Sequence, residues 1–584
     1  MFSHHSLSNG YKEENVVSAV TFIHFLVLSV LAQQTSYSVI SLVNGDAAGM
    51  VVVVDDKPYP LHITSSSTLL FSGTAPHPEK GYHYAKVDST GNILENEPFD
   101  RKPFDGDATP NEHYNRTWNT WKISQLPQVL DPLPVIHRID SKLHIDGEIP
   151  TIHITGDDQA IQNMHKHDKD DIQVNTTMTY ISLHDVQTFS GVEFEISGRF
   201  SREASKLAYN LKLPKKTYLY GYRRLKLRSL ATDPSYIRED LGYKMLAAAG
   251  VPTTDTSYVR VYVNNQPLGL FGFIEKFKNP WLRNEFADGI KDYQQGTLYQ
   301  GKYTNAKAEL LGGRISDLSY YGDKEKPYTL GEYKIAEDPS EGESNYSALI
   351  ELTKFLDKAP STKEAWDARF DMESVLRGMA LEFLLGFADG YLTVADNYYV
   401  YQTSPNSTKF IFLLWDIDLS LGSTSLVKLS QMESGDWHEF TSTITKRPLM
   451  KFLQVPEYAS RFDQLIQELN DKLMNIDVIG QRIDETAAML KEDVEWDKSC
   501  SRVSHVGLLN YNDLAVLAHA FGFMKSVDLD FHTVRDFNQR QRHDDVDFMQ
   551  AVNGPTGYKH SLVGLKEFIK IKHQNVAGHY HSEQ

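Results

Sequence analysis

The sequence predicts an α+β fold preceded by a small all-β, sandwich-like unit, and three features of its 584 residues carry that prediction. From Ser36 to about Asp100, β-branched runs (YSVISLV, MVVVVDD, YPLHITS, STLLFSG) alternate apolar with polar positions and are cut by NGD, DDKP and GTAPHP. Such runs, with turn signals spaced at roughly 8–12 residues, read as strands of a sandwich. From Ile136 strands return with one helix among them. Beyond Tyr346 the apolar period lengthens to about 3.6 residues, the helical value.

In chain order, residues 33–105 form the all-β unit and residues 106–135, with QLPQVLDPLP, form a linker or wrapping loop. Residues 136–280 supply a mainly antiparallel sheet from TIHIT, VNTTMTYISL, VEFEISG, KLAYNLKL and RRLKLRSL. Asp233-Pro234 predicts a helix N-cap with proline at the first helical position; Ile237, Leu241 and Met245 recur at helical spacing, and Gly250 stops the helix. YVRVYV and LGLFGFIEKF then read as a hairpin about Asn264-Asn265. Residues 281–584 are mostly helical, through SALIELTKFLDKA, ESVLRGMALEFLLGF, PLMKFLQV, SRFDQLIQELNDKLMN, IDETAAMLKEDVEW and GLKEFIKIKH. A strand pair, NYYVYQ and KFIFLLWDID, interrupts them.

Composition narrows the function. Lys and Arg number 59 against 77 Asp and Glu, a net charge of −18. That excludes a nucleic-acid binder relying on phosphate neutralisation and hints at basic partners. The 41% hydrophobic and 23% charged content belongs to a folded globular chain. Cys500 is a single cysteine, so no internal disulfide forms. Val16 to Ala32 lacks Lys and Arg and ends in small residues, which predicts a signal peptide over residues 1–32 and a secreted product. The segment ahead of it, with Lys12 against Glu13 and Glu14, departs from a positive n-region, and His24 interrupts the apolar run. Sequons at Asn115, Asn175, Asn345 and Asn406 fit the secretory route. No later run reaches ~18 consecutive apolar residues, so the mature chain is expected to have no transmembrane span. The closing VAGHYHSEQ lacks the apolar tail of a lipid-anchor signal.

Two constellations carry chemistry. In Phe387 to Gly422 a helix ends at Asp389-Gly390, a loop leads to Asn397, and the second strand of a hairpin delivers Trp415-Asp416-Ile417-Asp418. Carboxylates at a strand end beside an Asp and an Asn on the neighbouring loop form an all-oxygen donor set, which suits Mg²⁺ and phosphate chemistry. WDID also reads as a plain strand end with one capping Asp. The second constellation is Arg223 to Arg228, where strand alternation puts Arg224, Lys226 and Arg228 on one face, opposite Leu225 and Leu227. That row suits nucleotide phosphates, or equally ion pairing with Glu239 or Asp240. The stretch from His165 to Asp171, with two His and three Asp, reads as a solvated loop, His573, His579 and His581 as a mobile tail, and Cys500 as a buried or inert thiol. A carboxylate-pair hydrolase using Asp389 with Asp416 or Asp418 is a third chemical reading.

The order KLRSLATDPSYIRE, VRVYVNNQPLGLFGFIEKF, ADNYYVYQ and FLLWDIDLSLG resembles the spore coat protein H (CotH) kinase-like family in its mucoralean fungal form. The likeness runs from the β-rich start (FSGTAPHPEKGYHY) to the helical half. It implies an atypical protein-kinase-like two-lobe fold binding ATP with Mg²⁺ or Mn²⁺. By motif, Asp389 is similar to the catalytic-loop aspartate, Asn397 to the metal-binding asparagine, Asp416 to the main metal-ligating aspartate and Asp418 to a second ligand. Lys226 resembles the strand lysine that meets the phosphates, with Arg228 as its substitute, and Glu239 or Asp240 resembles the helix partner. Glu275-Lys276-Phe277 resembles the hinge that meets adenine. Asn397 stands eight positions after Asp389, where typical kinases have five, so either the loop is expanded or Asp396 shares the role. Ser197-Gly198-Arg199 offers one glycine where bacterial relatives have a glycine- and serine-rich turn. The resemblance implies phosphorylation of Ser or Thr in spore-coat or other secreted proteins, and a place at the spore coat or cell surface. The alternative it implies is an adhesin toward host surface proteins, or a structural coat protein, on the same scaffold with little turnover.

Overall fold

A computed structural model describes residues 34–198, 202, 204–302, 315–330, 333–425, 427–441, 446–504, 530–543 and 545–582. The expected signal peptide and Arg199 lie outside the described residues. The fold is mixed α+β, with three sheets followed by helices.

The first sheet contains β1 (Gln34–Ile40), β2 (Gly49–Val54), β3 (Lys57–Ile63), β4 (Leu70–Pro76), β5 (Tyr82–Val87), β6 (Ile93–Asn96) and β7 (Ala108–His113). Their order is β6-β5-β2-β3-β4-β1-β7. The sheet curls over its own core: Tyr37 of β1 meets Tyr82 of β5 at 5.2 Å between ring centroids, although three strands separate them. Tyr37, Val39, Val52, Phe71 and Tyr84 fill the space between. This is the sandwich-like packing that period-2 alternation demands. The sheet runs to His113, past the expected boundary at residue 105, because β7 pairs in parallel with β1.

The second sheet is a closed barrel where the sequence predicts only a mainly antiparallel sheet. It contains β8 (Thr151–Thr155), β9 (Gln173–Ile181), β10 (Val186–Ser197), β11 (Ala208–Lys212), β12 (Arg224–Arg228), β13 (Thr256–Val263) and β14 (Gln266–Glu275). They close in the order β10-β11-β12-β14-β13-β8-β9. A single parallel pair, β8 with β13, completes the ring, a long-range pairing that alternation cannot announce. Phe194, Tyr209, Leu211, Leu225, Leu227 and Phe273 are buried in it. Residues 114–150 wrap the barrel as irregular chain: Val129 N–H bonds Ala248 O at 2.8 Å and His137 N–H bonds Glu285 O at 2.8 Å.

Helix α1 (Asp158–Lys166) takes in His165, which is buried with its ring 2.9 Å from the Tyr209 hydroxyl, and Asp168 is buried too, so the expected solvated loop is in part packed against the barrel. Helix α2 (Arg238–Ala248) starts later than the Asp233-Pro234 signal predicts. Asp233 instead accepts from the N–H groups of Ser235 (2.9 Å) and Arg238 (2.8 Å), and Tyr236 is left-handed at φ 59°, so the chain turns before the helix begins. The third sheet joins the predicted strand pair, β17 (Tyr398–Gln402) and β18 (Phe410–Leu414), to β15 (Leu298–Gly301) and β16 (Lys334–Glu337). PLMKFLQV forms a 3-10 helix over Pro448–Gln454. The expected mobile tail is the end of a docked helix, Leu565–Ser582, which buries Phe568, Ile569 and Val576. Cys500 is buried and burial pushes its thiol up to about 11, the inert state the sequence suggests. Among the described residues no helix is long and apolar enough to cross a membrane.

The Ile476–Ser499 helix locks the barrel to the helical half. Its Asp497 is fully buried and accepts from Lys206 Nζ (2.7 Å), the Tyr236 hydroxyl (2.7 Å) and Leu270 N–H (2.8 Å). Gly269, at φ 121°, makes the approach possible: a Cβ there would stand 1.9 Å from Asp497 Oδ1. Asp497→Ala strands the buried Lys206 ammonium, so we expect a loss of about 3–5 kcal/mol and a clearly lower unfolding temperature. Unchanged thermal unfolding of that variant would remove this tie from the account.

Candidate functional site

The site forms where the outer face of β12, helix α2 and the chain after β18 meet. Strand alternation sends Leu225 and Leu227 into the barrel and leaves Lys226 and Arg228 facing outward. Past Leu414, Trp415 N–H donates to Asn397 O (3.0 Å), which ties the strand end to the loop after Asp389. Asp416 is left-handed at φ 58°, and its N–H donates to the Tyr243 hydroxyl of α2 at 3.0 Å. Asn397 is left-handed too, at φ 53°. Each such non-glycine residue costs about 1–3 kcal/mol, a strain that surrounding contacts must hold in place. Gly242 lets α2 come close: a Cβ there would sit 2.6 Å from Ile417 Cδ1.

Arg228 is the hub. Its Nε donates to Glu239 Oε2 at 2.8 Å, Nη1 pairs with Asp416 Oδ1, and Nη2 lies 3.2 Å from Asp418 Oδ2. Asp418 also accepts from the Thr232 hydroxyl at 2.8 Å. Lys226 Nζ stands 3.5 Å from Asp416 Oδ2, with Trp415 beside it. Of the two predicted cations, Arg228 takes the helix glutamate, and among the described residues Lys226 keeps only this longer ion pair. Asp240, the other predicted partner, points elsewhere and accepts from the Thr256 hydroxyl.

Charge is distributed unevenly among the carboxylates. Burial opposes ionisation of Asp416, yet Arg228 and Lys226 hold its carboxyl below the usual range. Burial and the charge of Asp416 push Asp418 up. Burial raises Glu239 to about 7 despite Arg228. Asp389 is driven well above the ordinary range by burial and then by Asp418, Asp396 and Asp416. Its Oδ2 accepts from Asn397 Nδ2 at 2.8 Å, while Oδ1 is closed off from solvent with no hydrogen-bond partner among the described residues. Glu239 Oε1 is likewise buried and, among the described residues, unpartnered. Asp396 accepts from the N–H of Asn397 at 2.8 Å.

These unsatisfied acceptors lie among the oxygen donors of Asp416, Asp418 and Asn397, and an all-oxygen donor set of that kind fits a hard divalent cation. Among the described residues, no three His, Cys, Asp or Glu side chains make a ready-built metal cage. An ion that keeps several waters and bridges to phosphates needs fewer protein ligands than a cage provides. The Asp416 side chain keeps 28% of its surface open, enough for a ligand to reach it.

The structure therefore gathers Lys226, Arg228, Asp389, Asn397, Asp416 and Asp418 and leaves Glu275 out. Glu275 pairs with Leu225, on the opposite strand face from Lys226. Its fully buried carboxylate is bound by Arg138 and by the His144 ring (2.9 Å), and its carbonyl accepts from the Thr254 hydroxyl (3.0 Å). Thr232 and Tyr243 were not legible from sequence; helical spacing from Glu239 is the signal that could have found Tyr243. A cavity of about 670 Å³ lined by Glu433, His532, Tyr558 and His560 shares no residue with the cluster. Charge and unsatisfied acceptors, not the width of an opening, mark the site.

The loop from Asp389 to Asn397 rests on Glu382, whose Oε1 accepts from Leu392 N–H and whose Oε2 is buried without a partner among the described residues. Burial raises this carboxyl from its ordinary 4.5 to about 8. The folded state thus binds a proton that the unfolded state releases, so this group's contribution to stability falls as pH rises from about 4.5 to about 8. Unfolding temperatures measured across that range should fall in the native chain and flatten in Glu382→Gln; parallel slopes would refute the assignment.

A protein-family profile described as CotH kinase protein matches residues 194–505, which include all six clustered residues. Invasin CotH3 of Rhizopus delemar is 26% identical over 494 residues, covering 81% of this chain and 77% of that protein. Invasin CotH2 of the same fungus is 27% identical over 406 residues, covering 67% of this chain and 65% of its own length. Spore coat protein homolog 1 of that fungus is 24% identical over 419 residues, with 70% and 65% covered. Matched over more than half its length by that profile, the chain belongs to the CotH family.

Proposed function

We propose that the chain is a metal-dependent phosphotransferase of atypical kinase-like, two-lobe architecture. It transfers the γ-phosphate of ATP to Ser or Thr hydroxyls of spore-coat or other secreted proteins. The observation that carries this reading is the single Arg228 guanidinium holding Glu239 of α2, Asp416 and Asp418 together beside Lys226. The order of parts supports it too: a barrel strand with two cations, a helix carrying Glu239, a hairpin, then helices around an Asp-Asn loop and a two-aspartate strand end.

Asp416, Asp418 and Asn397 would hold Mg²⁺ or Mn²⁺, and Lys226 would meet the phosphates of ATP. The bound ion supplies neutralisation of charge that develops on the phosphoryl oxygens. Arg228 fixes where the two aspartates stand. Asp389, held through Oδ2 by Asn397, orients the substrate hydroxyl and accepts its proton at Oδ1 as the hydroxyl oxygen bonds to the γ-phosphorus and the bond to the β,γ-bridging oxygen breaks, releasing ADP. Burial, then Asp418, Asp396 and Asp416, raise its pKa, and a higher pKa makes the ionised carboxylate a stronger base.

The relatives' names favour a second reading. Two of them are named invasins, so this chain would serve as a surface adhesin toward host proteins on the same scaffold. The fold accommodates both, since function resides in a site and not in an architecture.

Calorimetric titration with ATP, with and without Mn²⁺ or Mg²⁺, separates them. The kinase reading expects metal-dependent binding that Asp416→Ala abolishes. It also expects Asp389→Asn to keep binding while losing about 10²–10⁴-fold in phosphotransfer. ATP binding that is absent, or unchanged in Asp416→Ala, would leave the adhesin reading standing.

A further inference from the structure

We propose that Lys276 is a second polyphosphate-binding cation, forming with Lys226 a two-ammonium wall opposite the Asp416 and Asp418 carboxylates. The inference rests on the nucleotide reading above and adds a ligand-contacting residue to it.

The register places the side chain. Leu225 pairs with Glu275 and Lys226 with Ile274, so Glu275 shares the inward face with Leu225. Lys276 N–H continues the ladder by donating to Arg224 O at 2.9 Å. The next side chain after inward-facing Glu275 must point outward, so Lys276 joins Arg224 and Lys226 on one face. Asn210 of β11, opposite Lys226 in register, accepts from Lys276 Nζ at 2.8 Å and donates to Glu195 Oε1 of β10 at 2.9 Å. A neutral amide, not a carboxylate, therefore holds the ammonium.

The groups facing Lys276 are Arg224 and Lys226 of β12, Lys278 of its own loop, Asn210 of β11 and Glu195 of β10. Three of these five are cations and one is an anion. Among the described residues Lys276 makes no ion pair, and Lys226 shares Asp416 with Arg228. Burial, then Lys226 and Lys278, depresses Lys276 to about 7. Like charges packed this closely are unfavourable by themselves and become favourable once a multivalent anion lies among them. The position fits such an anion, because the neighbouring Phe277 packs on Trp415 at 4.7 Å, one residue before Asp416. Cations thus adjoin the carboxylates that would hold a metal, the layout a metal-bound phosphate chain requires.

A bound polyanion raises the pKa of Lys276, so above pH 7 binding takes up a proton and affinity falls as pH rises. Inorganic tripolyphosphate, titrated without metal at pH 8 in buffers of differing ionisation heat, reads this directly. The native chain should bind it with proton uptake. Lys276→Met should bind about tenfold more weakly and lose the uptake. Lys276→Arg should bind well with little pH dependence, since guanidinium stays charged; circular dichroism checks that each variant is folded. No tripolyphosphate binding by the native chain, or native affinity and uptake in Lys276→Met, overturns the proposal. Tripolyphosphate binding that follows this pattern without phosphotransfer from ATP would refute the kinase reading alone and leave the anion site intact.

Discussion

One buried guanidinium organises this molecule. Arg228 lies in the barrel wall, yet its three nitrogens engage a helix glutamate and two aspartates that follow a strand of a different sheet. Arg228, with Lys226 alongside, faces three carboxylates, and burial makes such a cluster costly unless geometry is tightly held. The planar fork of arginine allows three directed contacts from one side chain, which the point charge of lysine does not. Lys226 is thereby spared the helix partner. The surroundings act to hold this arrangement: Tyr243 fixes the left-handed Asp416, Thr232 holds Asp418, and Gly242 leaves room for Ile417.

Rigid support comes from further away. The closed barrel leaves no unpaired edge among its strands, so the outward faces of β10, β11, β12 and β14 form a steady platform for the charged side chains they carry. The Ile476–Ser499 helix grips that barrel through Asp497 and Asp493, the latter pairing with Arg116 at 2.7 Å and Arg260 at 2.6 Å. Arg116 belongs to the wrapping chain that leaves the first sheet, so one helix face joins three regions of the molecule. Sites that depend on short contacts between distant segments need scaffolding of this kind.

The local charge pattern differs from the global one. The chain carries a net charge of −18, yet Arg224, Lys226, Lys276 and Lys278 stand close together beside the acidic cluster. Cations concentrated in one part of an acidic molecule draw anions to that place.

Much of the fold and site was legible because both rest on short periodicities. Alternation in RRLKLR placed Lys226 and Arg228 on one face, and the spacing around WDID placed Asp416 and Asp418 beside the Asp389 loop. What failed depended on distant partners. Asp233 caps a turn and not a helix because Tyr236 turns the chain first. Glu275 faces away because Arg138, over a hundred residues earlier, claims its carboxylate. The C-terminal histidines ride a helix that packs on a surface assembled from other segments. Sequence alone determined which residues share a strand face, where most strands and helices lie, and that acidic and basic groups alternate near one another, since each follows from neighbours within a few positions. Tertiary structure alone decided barrel closure, the choice of Arg228 over Lys226 as the helix partner, and the exclusion of Glu275. Those outcomes turn on which charges burial brings together, and burial is a property of the whole folded chain.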